Sequence, residues 1–149
     1  MYTPDFTVHC TLARRVEERL LLLLLLLLLR MAQRQALRED GSARRAGHVY
    51  IATSPHYCAR NIYKIGRAAS PADRLCALNT SRADDFLYLE HMSADVGHEA
   101  SVQLERLIHR ALRSFRMHGE FFQLHSDDNL ALVKRAIAGR SPAHRHHHQ

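Results

Sequence analysis

An apolar stripe at helical spacing runs through residues 104–115. Leu104, Leu107, Ile108, Ala111, Leu112 and Phe115 recur at steps of three and four. At about 100° per residue these side chains share one face, so a helix is predicted from about Val96 to Arg116 with that face in a core. Arg106, Arg110 and Arg113 fall together on the opposite face, while Glu105 and His109, four residues apart, share the flank between the two.

The partners for that stripe lie upstream. His48 to Thr53 (HVYIAT) is β-branched and aromatic and reads as a strand, Ser54 to Asn61 as a loop, and Ile62 to Gly66 (IYKIG) as a second strand, together a hairpin. Ser70 and Pro71 supply an N-cap and a first-turn proline for a short helix through about Leu78, and Phe86 to Met92 reads as a third strand. Downstream, Gly119 is expected to end the long helix. Glu120 to Leu124 follows as a short strand or extended segment, and Asp127 to Ala138 as a last helix. The expectation is an α+β domain over residues 47–140, with a small, mainly antiparallel three-stranded sheet flanked by helices. A chain of 149 residues suits one such domain with appendages.

Ten consecutive leucines, Leu20 to Leu29, stand ahead of it, with Arg14, Arg15, Glu17, Glu18 and Arg19 before them and Arg30 after. A membrane span needs about 20 apolar residues, which this run does not reach. A secretory signal has a basic first region and a small-residue cleavage site; here the basic region is mixed with acids and no such site precedes Arg30 and Arg34. A leucine expansion lying as a helix fits best, because leucine and most of its neighbours through Arg38 are strong helix formers. A helix apolar on all sides must cover itself, so it is expected to pack on the domain, self-associate or touch a membrane surface. Residues 1–46 are thus a leucine-rich helical extension closed by a linker, EDGSARRAG. Residues 141–149, with His144, His146, His147 and His148, form a His-rich tail expected to be disordered.

The net charge is +6, and of the 21 basic side chains only Lys64 and Lys134 are lysine. Guanidinium groups suit bidentate contact with phosphate, which points to a polyanionic partner, although no segment has the one-sided charge of a histone-like tail. Cys10, Cys58 and Cys76 are an odd set without CxxC spacing, which argues against a disulfide framework or a zinc knuckle. The chain is expected in an intracellular, reducing compartment, cytoplasm or nucleus, and not secreted.

Six short motifs stand in order: Gly47 followed by HVYI, Tyr63 followed by KIGR, Arg74-Leu75, Leu78-Asn79-Thr80, Leu104-Glu105 with Ile108-His109, and Gly119-Glu120-Phe121-Phe122. In that order they resemble the GIY-YIG nuclease superfamily, and most closely its compact phage- and large-virus-type DNA-binding branch, the phage T5 orf type. The resemblance covers roughly half the chain. It implies DNA as partner and a metal-dependent endonuclease, with a non-cutting DNA-binding module of the same fold as the alternative. A membrane- or self-associating protein driven by the leucine run is a third reading.

The resemblance also implies roles. Tyr50 takes the place of the first-motif tyrosine, a phenol beside the attacking water as hydrogen-bond partner or base. Aligning KIG with YIG sets Lys64, rather than Tyr63, at the second tyrosine; the arginine ten residues on is then Arg74, suited to the charge that builds on phosphorus. Gly66 fits a tight backbone approach or an ordinary turn. Glu105 is the carboxylate for a hard cation, Mg2+ or Mn2+, which binds oxygen ligands and keeps most of its waters. His109 stands as proton carrier, phosphate donor or structural residue, and the role of Glu120 is open. Arg67, Arg106, Arg110, Arg113 and Arg116 are the candidate contacts to a phosphate backbone.

Overall fold

The computed structural model describes residues 45–138 together with Arg19, Leu22, Leu25, Leu26 and Arg30. The elements run β1 (His48–Thr53), α1 (Pro55–Ala59), β2 (Ile62–Ala68), α2 (Pro71–Asn79), β3 (Tyr88–Met92), α3 (His98–Ala111), a 3-10 turn (Arg113–Phe115), β4 (Arg116–His118), β5 (Phe121–Gln123) and α4 (Asp127–Ala138). The strands form one antiparallel sheet in the order β3-β1-β2-β5-β4. The α+β class therefore holds, but the sheet has five strands where three were expected.

β1 and β2 are central and covered on both faces, which is why their sequences are almost continuously apolar. The pleat sends alternate residues to opposite layers. On one face Val49, Ile51, Tyr63, Ile65 and Phe122 pack with Leu104, Ile108 and Leu112 of α3 and Val133, Ala136 and Ile137 of α4. On the other, Tyr50 and Ala52 meet Leu75 of α2 and Leu87, with Tyr57, Ala68 and Leu78 at the margin. Each large aliphatic side chain buried there stabilises the fold by about 1.5–3 kcal/mol. The stripe predicted for α3 is the buried one, with Leu104, Ile108 and Leu112 at 3% exposure or less.

Three differences follow from local chemistry. The segment after β1 is not all loop: Ser54 accepts a hydrogen bond from the Tyr57 amide and Pro55 opens a five-residue helix, the same serine-proline start that opens α2. The long helix stops at Ala111, well before Arg116. A 3-10 turn keeps Phe115 at the spacing of the stripe, so the apolar period outlasts the helix that produced it. Gly119, at φ +54°, then lies between the paired strands β4 and β5 and does not end a helix. Arg116 consequently stands on β4, its guanidinium 5.5 Å from the Phe122 ring centroid.

Leu22 and Leu25 have helical backbone and are buried in the same core as α3 and α4, and Leu26 packs against it. The remaining residues of the leucine-rich extension, and the His-rich tail, lie outside the described residues. Among the described residues no helix is long and apolar enough to cross a membrane, and Cys58 and Cys76 are free thiols.

Candidate active site

Tyr50 sits in the middle of β1, directly opposite Gly66 on β2. Cross-strand partners share a face, so the phenol lies over the glycine. A Cβ at residue 66 would stand 2.8 Å from the Tyr50 hydroxyl oxygen and 3.0 Å from its Cζ. The tight approach expected at Gly66 is therefore made by Tyr50 of the same chain.

The Arg74 side chain, exposed on α2, reaches across to the Tyr50 hydroxyl and acts on it. Tyr50 is 1% exposed, so the guanidinium is what solvent meets. Burial, first of all, raises the phenol above its ordinary pKa of 10.0. The carboxylate of Glu120 adds to this and that of Glu105 contributes less, while the charge and hydrogen bond of Arg74 pull the other way. At neutral pH the group is a protonated phenol, fitted to orient Arg74 and not to take up a proton.

Lys64 is on the same face as Tyr50 and points into the fold, 6% exposed. Its ammonium is ion-paired with Glu120, half of whose side chain remains exposed, and lies 5.6 Å from the Phe121 ring centroid. Lys64 is thus a buried, paired ammonium and not a solvated strand residue.

Glu105 approaches from α3, in the other layer. Its Oε2 lies 3.1 Å from Nε of Arg67 on β2; the carboxylate is 14% exposed and the arginine 37%. Its neighbour one turn on, His109, does not join it. The His109 Nε2 lies 2.8 Å from the Ile65 carbonyl oxygen and donates to it, and the ring packs 5.0 Å from that of Phe122. The Ile65 amide already bonds the Glu120 carbonyl. An imidazole thus satisfies the backbone of β2 immediately before Gly66, where β5 has not yet begun.

Other motif residues turn out to frame the site. The Asn79 side chain donates to the Leu87 carbonyl at 2.9 Å and accepts from the Leu87 amide at 2.8 Å, closing the loop between α2 and β3. Within that loop Asp85 accepts from the His56 amide (2.9 Å) and the Ser54 hydroxyl (2.7 Å) and pairs with Arg82 (3.1 Å). These contacts, the His56 amide foremost, hold its carboxyl below the usual carboxylate range. Gly47 is needed because a Cβ there would come within 2.3 Å of the Gly97 carbonyl oxygen at the start of α3. Nothing in the spacing of Asp85 or Arg82 marked them beforehand; their link to Ser54 spans the whole hairpin and α2.

The structure therefore gathers Tyr50, Gly66 and Arg74 with Lys64 and Glu120 beside them, and pairs Glu105 with Arg67. It does not bring Tyr63 to this group. That ring faces the opposite layer near Cys58 and Tyr88, and burial, with those neighbours adding, pushes its pKa up to about 12. Arg106, Arg110, Arg113 and Arg116 are exposed, but only Arg106 and Arg110 belong to α3. Among the described residues no three His, Cys, Asp or Glu side chains form a metal-holding group.

Residues 47–137 match the family model described as the T5orf172 domain. A relative named uncharacterized protein 460R, from Invertebrate iridescent virus 6, is 32% identical over 94 residues; the match covers 62% of this chain and 39% of that protein. The chain thus matches well under half the length of this relative. No solved structure matches. The family match spans most of the chain and every element of the sheet, and the chain belongs to the T5orf172 family of phage and viral endonuclease-like domains.

Proposed function

We propose that the chain binds DNA and hydrolyses its phosphodiester bonds with the help of a divalent cation, magnesium or manganese, in the manner of the GIY-YIG nucleases that its motifs resemble. The observation that carries this reading is the Arg74–Tyr50 contact: an exposed guanidinium held by a buried, neutral phenol at the arginine of the motif register. Phosphoryl transfer concentrates negative charge on the phosphoryl oxygens, and a donor fixed before the reaction stabilises that charge without reorganising. Tyr50 supplies the fixing, Gly66 leaves room for it, and Arg74 meets the phosphate.

For the cation, the donor set is one carboxylate. A hard divalent ion accepts that, since waters and substrate oxygens complete its shell. Glu105 is the residue to hold it, and the Arg67 guanidinium on its Oε2 is the positive charge it keeps meanwhile. The bound ion would supply Lewis-acid polarisation of a phosphoryl oxygen. Arg67, Arg106, Arg110, Arg113 and Arg116 offer exposed guanidinium groups to the phosphate backbone, a contribution that weakens as salt rises.

The same Arg67–Glu105 pair favours a second reading, a DNA-binding module that does not cut, because it leaves the carboxylate already neutralised. Supercoiled plasmid incubated with the full chain and Mg2+, Mn2+ or chelator separates the two. Metal-dependent nicking supports the nuclease; retarded but intact plasmid under every metal supports the module.

A further inference from the structure

Hydrolysis needs a group that takes the proton of the attacking water, and the proposed nuclease reading, on which this inference rests, does not yet supply one. The groups around Tyr50 narrow the choice. The phenol is buried and its oxygen is engaged by Arg74. Lys64 is buried in an ion pair and, as an ammonium, has no lone pair to offer. His109 packs against Phe122 in the α3 layer, opposite the face of Tyr50, with its Nε2 donated to the Ile65 carbonyl, and Glu105 is 14% exposed and held by Arg67. Glu120 differs from all of them. Its side chain is 44% exposed, Lys64 holds its Oε2 alone, and its charge is the largest negative influence on the Tyr50 phenol.

We infer that Glu120 is the general base of this site, with Lys64 as the positioning residue that aims it. The assignment gives the lysine in the second-tyrosine register a purpose: it anchors a carboxylate instead of presenting a phenol. Glu120 also follows Gly119 directly, in the turn between β4 and β5, and its own carbonyl accepts from the Ile65 amide at 2.9 Å. Its backbone is therefore tied to β2 one residue from Gly66, and its side chain to β2 at Lys64.

In the step, the Glu120 carboxylate takes a proton from water as the water oxygen forms its bond to phosphorus. The opposite P–O bond breaks, and the leaving alkoxide is protonated by solvent. The products are a phosphomonoester and an alcohol, and Glu120 returns its proton to solvent.

The test uses the full chain on supercoiled plasmid. Glu120→Ala is expected to lower the nicking rate about 10²-fold or more, within the range typical of general-base loss, while DNA affinity by gel shift stays within about threefold of wild type. Added formate, a small carboxylate, should restore part of the rate to Glu120→Ala and none to Glu105→Gln. Because Glu120→Ala strands the Lys64 charge, the double variant Lys64→Met with Glu120→Ala is run beside it; it carries no unpaired buried charge and should show the same formate rescue. A Glu120→Ala or double-variant rate within threefold of wild type, or no response to formate in either, would overturn the assignment while leaving the nuclease standing. A wild-type chain that binds DNA and never nicks overturns both.

Discussion

Tyr50 and Gly66 face each other across the β1–β2 ladder so closely that a methyl group on residue 66 would press on the Tyr50 hydroxyl, 2.8 Å away. Gly66→Ala must displace the phenol, and with it Arg74. The expected cost is about 1–3 kcal/mol of stability, as for other overpacked sites. In Tyr50→Phe, which loses one hydrogen bond worth about 0.5–1.5 kcal/mol, the hydroxyl is gone and part of the conflict is relieved. The double variant should therefore be destabilised by less than the sum of the single changes, which urea unfolding of all four chains measures.

The Lys64–Glu120 pair is lopsided, since the ammonium is 7% exposed and the carboxylate 44%. Removing the carboxylate leaves a buried charge without its partner; removing the ammonium leaves a carboxylate that water can still reach. Glu120→Ala is expected to cost about 1–3 kcal/mol and Lys64→Met less than about 1 kcal/mol. Thermal unfolding of the two variants checks the order.

Alkaline pH should destabilise the fold through its tyrosines. The folded-state pKa of Tyr63 is about 12, against 10.0 in the unfolded chain, so the folded protein holds that proton more tightly. The stability this gives is whole below pH 10 and is lost as pH rises toward about 12. Tyr50 shifts in the same direction. Tyrosinate absorbance should titrate late in the folded chain. Cys58→Ala should bring the Tyr63 value part of the way back toward 10.0, because burial, the larger cause, stays in place.

Arg67 and Glu105 satisfy each other at 3.1 Å. Arg67→Gln removes the internal counter-charge from a carboxylate that is mostly out of water, and such a group gains from an external cation. Mn2+ binding followed by electron paramagnetic resonance should tighten several-fold in Arg67→Gln and fall away in Glu105→Gln. Equal binding in all three chains would remove Glu105 from the cation site.

Leu22 and Leu25, 3% and 5% exposed, lie in the core shared by α3 and α4. Leu22→Ala and Leu25→Ala are each expected to cost about 2–5 kcal/mol, the usual range for a buried leucine. A chain starting at residue 47 should be less stable than the full chain by calorimetry, even though the family match begins there.

Much of this was legible in the sequence where the signal is local. The pleated runs of β1 and β2, the Ser70–Pro71 start of α2 and the α4 boundaries Asp127 and Ala138 follow from side-chain period and cap chemistry. The end of α3 was not legible, because a 3-10 turn and an α-helix place Phe115 at nearly the same phase. β4 was hidden inside that overrun. The pairing of Lys64 with Glu120, 56 residues apart, and of Arg67 with Glu105 comes from sheet register and helix docking, which no spacing along the chain encodes. Motif register placed Tyr50, Gly66 and Arg74 in the chain, and only the fold puts the phenol beneath the guanidinium.

Nicking rate and DNA affinity, measured together on one supercoiled plasmid with Mn2+ for wild type, Arg74→Ala and Glu105→Gln, decide whether the site cuts DNA. A metal-dependent nuclease at this site gives nicking by wild type and losses of about 10²-fold or more in rate for both variants, with Glu105→Gln binding DNA as tightly as wild type. Binding without nicking by wild type, or nicking that survives Glu105→Gln unchanged, would contradict it.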